Sequence, residues 1–445
     1  MPRAVTRVLA LDIGTSSVRA NVFGPKAAER GMPARREYPG EDDPRKIARL
    51  VRRVIREAGG AAGVDAVGAS CFGHSLVAVG RDREPLTPVL SWRDTRAAEA
   101  AEWLARTVDP DAVHARTGCH VHTSYWPAKL AWLAKDQPGL FRRARFVSFA
   151  DYLYAKLLKR EVPTSASLAS GTGLLDLHTA AWDEELLSVL EIGPEQLPQI
   201  SDEPVREWFP AVFDGACSNV GVGCVGRTRA ALMIGTSGAL RTIHETARPR
   251  PRAGLFLYRL DERRVVEGGA LSDGGNLHHW LGETLKDPKG SLGDRGPDSH
   301  GLTFLTLLGG ERSVGWHLGA AGAIRGLRLE TTALDLRQAA LEGVAFRFAE
   351  IADAMPEVDE VVATGGALLH DRDWVQILAD ALARPIVVSR VREASLRGAA
   401  VLTLERLGEQ PAEAPSGRVV EPRPEHADAY RAARERQREL YDVVT

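Results

Sequence analysis

The tetrapeptide Ile13-Gly14-Thr15-Ser16 returns as Ile234-Gly235-Thr236-Ser237, each time behind an apolar run and ahead of an arginine, Arg19 and Arg241. The longer echo pairs "LALDIGTSSVRANVF" with "ALMIGTSGALRTIHE". A strand, a turn of small and hydroxyl residues and a second strand, written twice half a chain apart, restrict the fold to one that repeats a unit. Glycine lets the backbone approach whatever sits at the turn. Thr15 and Ser16 are natural donors to a phosphate oxygen. Two such turns facing one cleft grip a phosphate chain from both sides with N–H groups and hydroxyls.

At 445 residues the chain is too long for one ordinary core, so two domains are expected, over 1–220 and 221–445. The first echo reads strand, turn, strand, followed by a helix near 44–58 and a buried strand, "VDAVGASCFG". "HSLVAVGRDREPLTPVLSW" reads as two strands joined by a polar turn. "DTRAAEAAEWLARTV" then opens a helical insertion on the first domain, with Asp94 as its N-cap. The second echo is followed by two more strands, a helix "NLHHWLGETL", and a Gly/Pro-rich loop over 285–299. Beyond it, helices alternate with strands to a charged, amphipathic closing helix. The pattern is α/β, built from a duplicated βββαβα unit.

The formal net charge of −2 comes from scattered rather than clustered basic residues, which gives no footprint for nucleic acid or an anionic membrane. Cys71, Cys119, Cys217 and Cys224 form no CxxC pair, as expected of a reduced, cytoplasmic chain. No signal-peptide pattern opens the sequence, and no apolar run approaches the roughly 18 residues of a membrane span. Oligomeric state is open, a homodimer included.

Asp12 ends the first strand, where a carboxylate can hold Mg2+ beside a phosphate or merely cap its own turn. Asp214, in "AVFDGACSNVGVGCVG", is a second strand-end carboxylate, at the junction of the halves. There it can take the proton of a hydroxyl attacking a γ-phosphate, or simply close an Asp-Gly turn with no chemistry. The formal G-x-G-x-x-G of Gly221, Gly223 and Gly226 neither follows a strand nor opens a helix, so close helix packing explains it better than a dinucleotide. No G-x-x-x-x-G-K-[ST] is present. Gly365-Gly366, and likewise Gly274-Gly275, can lay backbone against a flat ring. Cys119, His120 and His122 lack a complementary pair for a metal site. His74, after a buried strand, is either a polar contact or a satisfied structural histidine.

Taken together and in order, these pieces resemble the FGGY carbohydrate kinases, nearly end to end. "LALDIGTSSVRA" and "MIGTSGALR" are similar to the family's two phosphate motifs, and "DGACSNVGVG" to its catalytic stretch. "GAIRGLRLETTALDLRQAALE" and "ATGGALLHDRDWVQILADALARPI" are similar to its C-terminal signature and adenosine motif. The resemblance implies two actin-like, ribonuclease H-type domains closing on ATP and a sugar, a sugar-binding domain first and a nucleotide-binding domain second. It implies Asp214 as catalytic base and Asp12 near Mg2+. Gly14, Thr15, Ser16, Gly235, Thr236 and Ser237 surround the phosphates, with Gly275, His279, Gly365 and Gly366 by the nucleotide.

Within the family the likeness is greatest to gluconokinases, through "HSLVAVGRDREPLTPVLSWRDTRA", "RTGCHVH", "SASLASGTGLLDLHTAAWDEELL" and "HGLTFLTLLGGERSVGW". It makes His74, Trp92 and Asp94 candidate substrate contacts and D-gluconate the first candidate substrate, ahead of a pentulose such as D-xylulose or glycerol. Trp126 stands where the family signature has Pro, Ser or Thr, and His370 where many relatives have a small or amide residue. Outside the kinases, a non-kinase actin-like ATPase and a non-catalytic sugar sensor are the rival readings.

Overall fold

Strand β1 (Val8–Ile13) is buried along its whole length, and its side chains divide between two cores with the period of two that a pleated strand imposes. Leu9, Leu11 and Ile13 join Ile47, Val51 and Val54 of helix α1 (Pro44–Glu57). Val8 and Ala10 join Leu396, Ala399 and Ala400, from the far end of the chain. Each fully buried aliphatic side chain is worth about 1.5–3 kcal/mol over exposure, so β1 ties two distant segments together. Helix α1 begins where the sequence tells it to: Pro44 occupies its first turn and the Asp43 carboxylate accepts from the Arg45 N–H.

The computed structural model describes residues 6–285 and 290–445. Its first sheet adds β2 (Ser17–Phe23), β3 (Glu29–Glu37), β4 (Ala66–Cys71) and β5 (Val212–Phe213) in the order β3-β2-β1-β4-β5. Strand β2 runs antiparallel to both β1 and β3, and β1, β4 and β5 run parallel. Helix α2 (Asp214–Gly221) follows. The second sheet holds β6 (Gly226–Ile234), β7 (Gly238–Glu245), β8 (Phe256–Arg259), β9 (Arg264–Leu271), β10 (Glu360–Thr364), β11 (Ile386–Val388) and β12 (Arg418–Val420). Its order is β8-β9-β7-β6-β10-β11-β12. The inner five, β9-β7-β6-β10-β11, reproduce the first sheet's order and directions. The duplicated actin-like architecture is therefore present, with β8 and β12 as additions at the two edges.

The second unit also holds α3 (Gly275–Thr284), α4 (Ala333–Asp353), α5 (Arg372–Leu382), α6 (Ala394–Arg406) and α7 (Ala427–Val444). Thr332 and Asp335 form a capping box at the start of α4, which is buried nearly all round from Gln338 onward. Helices α2 and α6 cross between the units, and α6 lies on β1 and β4 of the first sheet. A Cβ on Gly221 would fall 1.8 Å from the Ala394 carbonyl, and one on Gly398 equally close to that of Cys217. Gly221 is thus a contact where two helices meet backbone to backbone, while Gly223 (φ 75°) serves a turn and Gly226 (φ 128°) opens β6 at an irregularity in its pairing with β7.

Residues 72–211 form the helical insertion between β4 and β5. Two readings fail there. In "HSLVAVGRDREPLTPVLSW" only Val77–Val79 is a strand, paired with Arg145–Val147. The return stretch makes isolated bridges, Leu76 with Leu90 and Val79 with Pro85, because Pro85 and Pro88 have no N–H for a ladder. The next helix begins at Ala98 with Ala97 at its N-cap. Asp94 is engaged instead in a turn, accepting from the Arg96 N–H and guanidinium. Of the 285–299 loop, 286–289 lie outside the described residues. Leu292–Asp294 make a short 3-10 turn, and Arg295 is held by Gln338 and Asp335 of α4. No helix among the described residues is long and apolar enough to cross a membrane.

Candidate active site

At the end of β1, strand register places Arg19 opposite Asp12. Arg19 Nη1 lies 3.0 Å from Asp12 Oδ2, and its Nε lies 2.9 Å from Glu393 at the head of α6. Asp12 is only 6% exposed. Burial raises its pKa, against the opposing Arg19 charge. The Gly14 N–H donates to the Ser17 carbonyl at 2.9 Å, and the Tyr38 N–H to that of Ser16 at 2.7 Å, while the Tyr38 hydroxyl donates to the Gly14 carbonyl. Thr15 is half-buried and Ser16 exposed at the tip.

The second turn is enclosed differently. The Gly275 and Asn276 N–H groups, at the start of α3, donate to the carbonyls of Gly235 and Thr236, each at 2.9 Å. A Cβ on Gly275 would sit 2.2 Å from the Gly235 carbonyl oxygen. Gly365, at φ 97°, would place one 2.3 Å from that of Ile234. Three glycine turns are stacked too closely for side chains, and beside them Gly366 opens onto free space. His279 is exposed and pairs with Glu283, whereas His278 reaches toward Asp371 at 3.6 Å. His370 follows the short Gly366–Leu369 turn as its C-cap.

Between the two turns lies a cavity of about 90 Å³ lined by Thr15, Ser237, Asp214, His74, Trp92 and Arg241, among others. Asp214 begins α2 and accepts from the Gly215 N–H at 2.8 Å. Burial lifts its pKa to about 6; Arg241 works against the rise and the charge of Asp12 adds to it. The His74 Nδ1 lies 2.5 Å from the Gly171 carbonyl, and burial pushes the ring down to about 3. The imidazole is therefore neutral, with Nδ1–H the donor and Nε2 left as an acceptor. Asp94 is absent from the lining.

Several lining residues escaped the sequence reading. The Tyr125 and Tyr258 hydroxyls meet at 2.6 Å, and Trp316 packs with His120 and Tyr125. Tyr125 and His120 come from the insertion, Tyr258 from β8 and Trp316 from the segment before α4, and the insertion and β8 are laced together. The Leu257 N–H donates to the Gly118 carbonyl at 2.9 Å, and Arg259 Nε to that of Leu177 at 2.6 Å. No local pattern marks them, although "GERSVGW" contains both Arg312 and Trp316.

His120 is stacked between His114 and Trp316, a packing role that fits the missing ligand pair. Asp298, His300 and Glu342 do bring ligand atoms within 4.8 Å of one another. His300 Nδ1, however, accepts the Leu302 N–H, so Nε2 carries the proton and donates to Glu342 at 3.0 Å. The trio is a hydrogen-bond network, closed to a metal at the imidazole.

The profile of the FGGY family of carbohydrate kinases matches this chain with its N-terminal domain at residues 7–209 and its C-terminal domain at 230–404. The chain belongs to this family. It is a phosphotransferase acting on a sugar hydroxyl, and membership implies ATP as the phosphate donor. A gluconokinase of Bacillus subtilis (strain 168) is 27% identical, over 90% of this chain and 88% of its own. The crystal structure of gluconate kinase from Lactobacillus acidophilus superposes with a TM-score of 0.89 at 25% identity, covering 99% of this chain and 98% of that one. A ligand-bound xylulose kinase from the same organism matches as well, with TM-score 0.89, 25% identity and 98% of both chains.

Proposed function

We propose that this kinase transfers the γ-phosphoryl group of ATP to a terminal hydroxyl of a small sugar acid, D-gluconate first, giving 6-phospho-D-gluconate. The observation that carries the reading is Asp214: a half-buried carboxylate in the cavity that both Gly-Thr turns line. With its pKa lifted toward neutrality, Asp214 is a stronger base than an exposed carboxylate. It accepts the hydroxyl proton as the oxygen attacks in line. Arg241 faces Asp214 and limits the rise, so the base remains ionised at neutral pH.

Residues 1–220 then supply the sugar side and 221–445 the nucleotide side. Thr15 and Ser237 offer hydroxyls to the phosphates from opposite walls, and backbone N–H groups of Gly14, Ser16, Gly235 and Thr236 belong to the same turns. The open space at Gly366, beside Gly275 and Gly365, suits a flat base. Asp12 is an oxygen donor of the kind Mg2+ takes together with phosphate and water, and its partly compensated, buried charge fits such an ion. Bound there, Mg2+ supplies charge neutralisation on the transferred group. His74 offers Nε2 to a substrate hydroxyl, and Trp92 supplies a face against the carbon chain.

The test is ADP release from Mg·ATP by purified protein across D-gluconate, D-xylulose, D-ribulose, L-rhamnulose, glycerol and no acceptor. Stimulation by gluconate alone is the expected result. Stimulation by D-xylulose or glycerol instead keeps the mechanism and replaces the substrate. Steady hydrolysis that no acceptor stimulates contradicts the reading.

A further inference from the structure

Arg312 is 8% exposed and lines the same cavity as Asp214. Among the described residues no carboxylate lies within ion-pair distance of it. Its neighbour Glu311 is engaged by Arg347 and by the Tyr441 hydroxyl. Asp273, which senses the Arg312 charge, accepts from the Gly309 N–H at 3.0 Å and stands beyond ion-pair reach. The guanidinium donates through Nη2 to the Leu271 carbonyl and lies 4.5 Å from the centre of the Trp92 ring. Its Nε is buried without any acceptor.

A second basic side chain is close by. Lys129 is 1% exposed and donates to the carbonyl of Ser124, itself a lining residue. Burial draws Lys129 down to about 7, with Asp94 opposing the shift; that carboxylate is already tied to Arg96. The imidazoles of His74 and His122 both feel Arg312 and Lys129 together, so these cations flank one region. A buried charge without a partner is costly. Arg312, beside the cavity, leaves a place where an anion would restore the balance, and an anion there would also favour the charged form of Lys129.

We propose that Arg312, with Lys129 as the supporting cation, receives a carboxylate of the acceptor, so that this kinase selects an aldonic acid over a neutral ketose or glycerol. The proposal rests on the kinase reading above. A guanidinium suits the role because its planar fork matches a carboxylate and its charge strengthens each bond. The competing view is structural: Arg312 serves only to hold the Leu271 carbonyl and the Trp92 ring.

Initial rates with D-gluconate and D-gluconamide separate the two, since both carry the same hydroxyls and only the acid carries charge. Wild type is expected to favour gluconate by about 100-fold in kcat/KM. In Arg312→Gln that preference collapses: gluconate loses about 100-fold, chiefly through KM, while gluconamide changes by less than about 5-fold, and Arg312→Lys restores part of the loss. Equal use of the two acceptors by wild type overturns the proposal and leaves the kinase reading in place, whether or not the variant folds. Equal losses on both acceptors in Arg312→Gln overturn it too, in favour of the structural role. If only neutral ketoses or glycerol are phosphorylated, the receptor is refuted and the catalytic base is not. If no acceptor is phosphorylated, the kinase reading fails by itself. Calorimetric binding of gluconate against gluconamide then decides the receptor, tighter binding of the acid supporting it and equal binding refuting it.

Discussion

The two Gly-Thr turns share a tetrapeptide and a hairpin, yet their surroundings have diverged. The first ends a strand on Asp12; the second has Met233 in that place. Tyr38 braces the first from one side, through its N–H and its hydroxyl. The second is enclosed by α3 and the Gly365 turn, both pressed against it without room for a Cβ. Position 238, glycine where the first copy has Ser17, lies under Phe348, whose ring would be 2.4 Å from a Cβ there. Duplication supplied two Gly-Thr turns. Only the first has a carboxylate at its strand end, and the second gave up side chains for close backbone packing.

That contrast breaks first if the chemistry does not depend on the carboxylate between the turns. Asp214→Ala should lower kcat by about 10⁴-fold, with ATP affinity by calorimetry within about threefold of wild type; retained turnover would sink the assignment of the base. Next, Asp12→Asn should cost about 100-fold in kcat and raise the Mg2+ concentration needed for half-maximal rate. Met233→Leu, its positional counterpart, should stay within about twofold. Similar effects from the two substitutions would erase the asymmetry.

At the second turn, Gly365→Ala meets both a positive φ and the Ile234 carbonyl. It should weaken ATP binding about tenfold and lower the melting temperature by several degrees. Gly14→Ala has only a 3.4 Å contact with the Ser17 carbonyl and should fold normally. The smallest effect is on pH. Asp214 must be ionised to act, so kcat/KM should fall toward a tenfold loss per pH unit below about 6, where its folded-state pKa lies. Replacing Arg241 with Met removes the cation that lowers this pKa, so the inflection should move to higher pH in a rate profile; a downward move contradicts the pairing.

The repeated unit was legible because strand, turn and strand are local in sequence, and burial on both faces reads as an unbroken apolar run in β1. Asp214 was legible for a similar reason, as a strand-end carboxylate followed by glycine. Asp94 was misread because an Asp before a helical pattern can cap the helix or close its own turn, and the two look alike in sequence. His278 and His279 are adjacent, but a helix turns about 100° per residue, so one faces Asp371 and the other solvent. Arg312 could not be found at all. Its distinguishing property is a missing partner, and that exists only once Trp92, Leu271 and Tyr125 have been brought around it.

The crossing of α2 and α6 has a consequence for how the chain is made. The face of β1 and β4 that carries Val8, Ala10 and Gly68 is sealed by α6, near the end of the molecule. During synthesis the first sheet therefore leaves the ribosome with that apolar face uncovered. It stays so until the second unit has been translated, on the order of ten seconds or more at ordinary elongation rates. For that interval the nascent half is a natural client for a holdase chaperone. Stalling translation before Ala394 should trap it in an aggregation-prone form that release past Arg406 resolves.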